Sequence, residues 1–283
     1  MGAGPERLLV AGIDRAIAAD GHRVSVTLVE LPPNAWTSET GTAFELMRRV
    51  AAAISAAKKS VPVILAGNCI TSLGALAAYP PRRTGIVWFD AHADYNTPDT
   101  TTSGFLDGTA LSTITGGSWR QLALTVPGFK PIPEENVCVV GARDLDPMEK
   151  RQLTASGITT VAVPEVRSKL PPAIASIAKN VDRVHLHIDL DVLDSTVARA
   201  NSYAVAGGLT IEDMEFAIST IGNAVPIAGV TLSAYDPAGD TGDWAAKAAI
   251  ALARAGVRAA SNHLAGGGAA ESGAALRTSR DST

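Results

Sequence analysis

The chain has 283 residues, 46% of them hydrophobic and 18% charged, which provides for a large core and excludes global disorder. A formal net charge of −4, without a basic tract or basic amphipathic stretch, gives no footprint for nucleic acid or a membrane surface. Two cysteines, Cys69 and Cys138, make no disulfide framework, so a reducing, cytoplasmic setting is expected.

The first pattern in the chain is helical, over residues 5–19. Glu6, Arg7 and Asp14 interrupt its apolar run, which argues against a secretory segment. Gly2 is followed by Glu6 where a myristoylation signal needs Ser or Thr. No run of about 18 uncharged apolar residues is long enough to span a membrane.

Strands are then expected at 24–31, 61–65, 85–90, 137–141, 159–163, 183–189 and 226–233. Several are near-continuous β-branched and apolar runs, as strands buried on both faces of a parallel sheet should be. Helical patterns at 43–58, 72–78, 147–156, 172–179, 211–221 and 243–255 alternate with them, and Thr210 with Asp213 reads as an N-cap. The alternation predicts a single α/β domain over 1–258. Its architecture would be a three-layer α/β/α sandwich around a mostly parallel sheet. Residues 259–283, rich in Ala, Gly and Ser, read as a mobile tail.

Ligands of such sheets bind at the carboxyl ends of the strands, and the acidic motifs lie there. Asp90-Ala91-His92-Ala93-Asp94 closes one apolar run and Asp189-Leu190-Asp191 closes another. Residues two apart on a strand point the same way, so each motif offers its ligands as a row. Four carboxylates and one imidazole suit two hard or borderline cations such as Mn²⁺, about 3.5–4 Å apart, that activate water for hydrolysis. The loop 95–108 is long and rich in Thr, Ser and Gly, which marks it as functional.

Trp88-Phe89-Asp90-Ala91-His92-Ala93-Asp94-Tyr95-Asn96-Thr97-Pro98 and His187-Ile188-Asp189-Leu190-Asp191-Val192-Leu193-Asp194 resemble the signatures of the arginase (ureohydrolase) family. Thr100-Thr101-Thr102-Ser103-Gly104, Gly141-Ala142-Arg143-Asp144-Leu145-Asp146-Pro147 and Gly207-Gly208-Leu209-Thr210 extend the likeness in the family's order. The resemblance implies a binuclear Mn²⁺ centre and hydrolysis of guanidino or related C–N bonds. Asp90 and Asp189 would bridge the metals, Asp94 would complete the first shell, and His92 and Asp191 would hold the second ion. Asn96 and Ser103 match positions that hold a substrate α-carboxylate, and Asp146 one near the α-amino group. An amino-acid-like small molecule is therefore the expected partner, and a homo-oligomer is left open.

Three positions depart from the family pattern. Ala66-Gly67-Asn68-Cys69-Ile70 stands where the family has Gly-Gly-Asp-His-Ser, placing Cys69 at a metal-ligating histidine. A thiolate there tilts preference from Mn²⁺ toward Zn²⁺ or Fe²⁺ and resembles the Nω-hydroxy-L-arginine hydrolase branch. Asp107 replaces a proton-shuttling histidine, and is either a relay of raised pKa or an exposed loop acid. Ala234 replaces a glutamate that pairs with the guanidinium, with Asp236 and Asp240 as the nearby substitutes. A guanidinium buried without a partner is costly, so a less basic group such as an N-hydroxyguanidine, ureido or amide is favoured. The alternative is a catalytically inactive protein of this fold that binds an amino acid or metal.

His185 and His187 share a strand face with Asp189 and Asp191 and are either core residues or groups beside the metals. Cys138 is expected in the core, and His22 and His263 carry no assigned role. Gly2-Ala3-Gly4-Pro5 resembles the segment after the family's first strand, so that strand is expected to be absent or replaced.

Overall fold

The computed structural model describes residues 1–31, 38–57, 60–79 and 83–271, with side chains considered to residue 262. Lys58 of the expected helix 43–58 and residues 272–283 of the expected tail lie outside the described residues.

The chain opens with α1 (Gly4–Val10) and α2 (Ile13–Ala19) in place of the one helix expected over 5–19. Gly12 divides them, at a φ of +93° that residues with a Cβ rarely adopt. α3 (Glu39–Ala56) follows, its N-cap Ser38 accepting from the Gly41 N–H. Next come β1 (Val63–Leu65), α4 (Ser72–Ala78) and β2 (Thr84–Phe89). Two short helices, α5 (Ala110–Ile114) and α6 (Arg120–Ala123), lead to β3 (Val137–Val140), α7 (Pro147–Ala155) and β4 (Thr159–Val161). α8 (Val166–Ile177), β5 (Arg183–Asp189), α9 (Ile211–Ala224), β6 (Ile227–Ser233) and α10 (Trp244–Glu271) complete the chain.

Among the described residues the strands form one six-stranded sheet in the order β1-β6-β5-β2-β3-β4, all pairs parallel. Alternation divides each central strand between two cores. Val87, Phe89, Leu186 and Ile188 face α8, α9 and α10, while Ile86, Trp88, Val137 and Val139 face α3, α4 and α5. Both faces are covered, as the apolar strand runs predicted. At Gly74 a Cβ would stand 2.8 Å from the Met47 carbonyl, so this glycine sets the close approach of α3 and α4. No helix of the described residues is long and apolar enough to cross a membrane.

Three further expectations need correction. Residues 24–31 form no strand: they are irregular, and Val24, Val26 and Leu28 are exposed. β propensity holds only where a neighbouring ladder and a buried face accept the residues, and here neither does. The helix expected over 172–179 begins instead at Val166 and carries Pro171 and Pro172 inside it. Val166, Leu170, Ile174 and Ile177 give it a continuous buried stripe, and that packing overrides the prolines as a start signal. The last helix runs past 255 and 258 to Glu271, because Ala259 and Ala260 still pack in the core; the boundary placed at 259 falls within it.

Candidate metal centre

Register assembles the site. Phe89 on β2 pairs with Ile188 on β5, Ile188 with Leu232 on β6, and Leu232 with Leu65 on β1. The chain leaves all four strands at one edge, bringing together Cys69, Asp90, Asp189 and Ala234. Only Asp189 is still in a strand; Asp90, His92 and Asp94 lie past the end of β2, and Asp191 in a turn after β5. The ligands therefore converge from turns rather than projecting as strand rows.

Among the described residues two groups have ligand atoms within 4.8 Å of one another: Asp90, His92 and Asp191, and Cys69, Asp90 and His187. Asp90 belongs to both. Cys69 Sγ donates to Asp189 Oδ2 at 3.0 Å, which joins Asp189 to the second group. Asp94, held at φ +51° with its carbonyl accepting from Leu111 and Ser112, interacts electrostatically with Asp90, Asp107 and Asp189. Its Oδ2 is buried and has no hydrogen-bond partner.

The electrostatics are those of crowded acids. Burial, then the neighbouring carboxylates, pushes Asp94 and Asp189 well above the usual range and Asp90 to about 6. Burial disfavours a charge on His92, but its hydrogen bonds to the Asp191 and Asp90 carboxylates override it and raise the imidazole to about 12. Asp191, though buried, is held low by that same imidazole. Burying acids at this density is costly unless cations accompany them. The orphaned Asp94 oxygen and the oxygen, imidazole and thiol donors fit a pair of divalent ions.

Asp107 is buried, 5% exposed, which removes the reading of it as an exposed loop acid. Its Oδ2 accepts from Asn68 Nδ2 at 2.6 Å, its Oδ1 from the Ile70 N–H at 3.4 Å, and burial pushes it up to about 6. Asn96 Nδ2 donates to Asp146 Oδ2 at 3.1 Å, and Thr102 Oγ1 donates to the same carboxylate. Ser103 is exposed on the loop beside them, its Oγ accepting from the Phe105 N–H. Asp146 precedes α7, where Glu149 accepts from the backbone N–H of both Asp146 and Tyr95.

Ala234 follows β6 at φ +60°, with its carbonyl accepting from Asn201 Nδ2 at 2.8 Å. Asp240 accepts from Tyr235 Oη and from the Ala245 and Ala246 N–H groups, so it caps α10; Asp236 accepts from the Ala238 N–H. His185 is a satisfied core residue between Tyr79 and Thr231, and Cys138 is buried in the sheet.

The sequence reading missed two supports. Asn201, 2% exposed, also donates to Asp191 Oδ2 at 3.4 Å. Arg143 donates to carbonyls around the end of β5. Asn201 lies in no motif, whereas Arg143 lies inside Gly141–Pro147 and its position there was the available signal.

Comparison with known proteins agrees with this geometry. The arginase family model matches residues 3–257. An arginase of Bacillus caldovelox is 32% identical over 200 residues, covering 68% of this chain and 66% of that protein. An arginase of Brevibacillus brevis is 28% identical over 267 residues, covering 88% and 89%. Among solved structures, Bacillus cereus arginase superposes with a TM-score of 0.80 at 26% identity, covering 90% of this chain and 91% of that one. The formimidoylglutamase of Bacillus subtilis shares the fold, with a TM-score of 0.69 at 18% identity over 89% and 80% of the two chains.

Proposed function

The chain belongs to the arginase family, and we propose that within it the protein is a binuclear metal-dependent hydrolase of a C–N bond in a guanidino-type amino acid. The observation that carries this reading is the pair of ligand groups sharing Asp90, beside an orphaned Asp94 oxygen. Asp90 and Asp189 would help hold two ions, Mn²⁺ by family or Zn²⁺ or Fe²⁺ given the thiol. Cys69 and Asp94 would complete the first shell, and His92 and Asp191 the second. Such ions supply Lewis acidity and a water acidic enough to ionise near neutral pH.

The chain's own groups do the rest. Asn96 and Ser103 would take the substrate α-carboxylate by amide and hydroxyl donors, and Asp146 the α-ammonium. Asp94 would also help orient the attacking water. Asp107, pushed up to about 6, would carry a proton at its weakly bound Oδ1 and pass it to the departing amine.

At the reacting end the substrate would be uncharged or weakly basic. Ala234 offers no carboxylate, Asp240 is committed to capping α10, and Asp236 is engaged by the Ala238 N–H. A guanidinium would lose its hydration there without gaining an anion. N-hydroxyguanidino, ureido and amide groups avoid that cost. A reducing cytoplasmic location suits two free, buried cysteines.

Elemental analysis with a substrate panel tests this. Two ions per chain and metal-dependent release of urea, hydroxyurea or ammonia are expected, abolished in Asp90→Ala and Asp189→Ala with the fold retained. Full turnover in either variant would refute the mechanism. A protein that binds no metal and turns over no panel member would instead be the inactive binder of this fold, which the changes at Cys69, Asp107 and Ala234 motivate.

A further inference from the structure

An imidazole stands beside Cys69 after all, supplied from another strand. The Cys69 thiol, a carboxylate oxygen of Asp90 and a ring nitrogen of His187 lie within 4.8 Å of one another. β1 and β5 both flank β6, so the chain leaving β1 crosses the carboxyl end of β5. His187 precedes Asp189 by two residues on that strand and shares its face.

The ring is fixed on three sides. Trp88 stacks on it with centroids 3.5 Å apart, and Ser72 Oγ lies 2.8 Å from Nδ1. Ser233 Oγ is 3.4 Å from Nε2 and 3.3 Å from Cys69 Sγ, so the Nε2 edge faces the thiol. Metal-bound imidazoles are commonly oriented in this way, one nitrogen engaged by a hydrogen bond and the other left for the ion. The long contact to Ser233 leaves the Nε2 lone pair available. The unpartnered, buried Asp94 Oδ2 independently marks the same cluster as short of a cation.

We propose that His187 Nε2 and Cys69 Sγ together take the place of the single loop imidazole at the first metal position, alongside Asp90, Asp94 and Asp189. The proposal rests on the metal-centre reading above. Its consequence is an asymmetric pair: a sulfur- and nitrogen-bearing first site that favours Co²⁺, Zn²⁺ or Fe²⁺, beside an oxygen-rich second site that accepts Mn²⁺.

Titration of the metal-free full chain with Co²⁺ tests it without reference to turnover. Near-ultraviolet thiolate-to-cobalt absorption reports Cys69, and contact-shifted, exchangeable imidazole N–H resonances in the NMR spectrum count the histidine ligands. Two such resonances, from His92 and His187, are expected in the wild type together with the thiolate band. Cys69→Ser should lose the band, and His187→Gln one resonance. First-site affinity in His187→Gln should fall beyond the about 10–100-fold typical of losing a merely orienting group. In Cys69→His, where the loop imidazole is restored, His187→Gln should cost less than about tenfold. Bound metal in the wild type with a single imidazole resonance, or with no thiolate band, overturns the proposal and leaves the metal centre standing. Should either variant fail to fold, the wild-type count alone decides. Absence of any bound metal overturns both readings.

Discussion

Arg143 Nη2 donates to the carbonyl of Asp191 at 3.0 Å, fixing the backbone of a candidate metal ligand from outside the cluster. The same guanidinium reaches the carbonyls of Gly141, Leu193, Val205 and Ala206. One side chain thereby ties the end of β3 to the turn after β5 and to the loop preceding α9. Lysine carries the charge but not the planar fork that reaches several acceptors at once.

Arg143→Ala should destabilise the metal-free protein by about 2–4 kcal/mol, since several half-buried carbonyls lose a charged donor together. Arg143→Lys should recover only part of this and should still bind metal more weakly than the wild type. Denaturant unfolding in a chelator, paired with metal titration, measures both. Wild-type values in the lysine variant would remove the clamp from the account.

Metal removal should destabilise the protein, because ions that bind only the folded state stabilise it by mass action, about 2.7 kcal/mol at a free concentration 100 times Kd. Asp94→Asn should behave in the opposite way without metal. Asparagine tolerates the φ of +51° found there and removes one charge from a crowded buried set. Its metal-free Tm should rise above the wild type's, while the increment on adding Mn²⁺ or Co²⁺ should shrink. A fall in metal-free Tm would show that Asp94 is not under electrostatic strain.

Glu149, which accepts from the Tyr95 N–H next to Asp94, gives a pH signature of its own. Burial pushes its carboxyl up to about 7 from an ordinary 4.5, even though it accepts two backbone N–H bonds. The native state then binds more protons than the unfolded chain between those values, so stability should fall as pH rises from 4.5 to 7 and level off above. Glu149→Gln, uncharged throughout, should match the wild type near pH 4 and exceed it above pH 7 by on the order of 3 kcal/mol. Parallel unfolding free energies across that range would mean that the carboxylate is solvated or better paired than its burial implies.

Ala234→Glu should shift preference toward charged guanidinium substrates. Both residues carry a Cβ, so the φ of +60° is no more strained in the variant, and the new carboxylate can pair with a guanidinium. The ratio of kcat/KM for arginine over a neutral analogue should rise by about 10–100-fold, the worth of one well-placed charge pair against a desolvated cation. An unchanged ratio would place the reacting end of the substrate elsewhere.

The chemistry was legible in the chain because it depends on residue type at strand ends. Apolar runs closed by Asp90-Ala91-His92-Ala93-Asp94 and by Asp189-Leu190-Asp191 announced a parallel sheet and the edge that carries the candidate ligands. Thr210 announced the start of α9, and its Oγ1 accepts from the Asp213 N–H as expected. The strand expected over 24–31 did not form, because propensity cannot say whether a neighbouring edge and a covering layer will be present. The early start of α8 was hidden for a related reason: its stripe from Val166 to Ile177 becomes decisive only against the helices and strands it packs on.

What the sequence by itself determined is therefore the architecture, written in patterns of period two and 3.6, and the acid-rich candidate site, written in motif spacing. Only the tertiary structure decided that Asp107 is buried, that Asp240 is committed to α10, and that His187 turns its ring toward Cys69. The first and last of these depend on the fold bringing distant parts of the chain within a few ångströms, Asn68 to Asp107 and Cys69 to His187, the latter through the order β1-β6-β5. No local pattern encodes that order; it emerges when the apolar faces of all the strands and helices are buried at once.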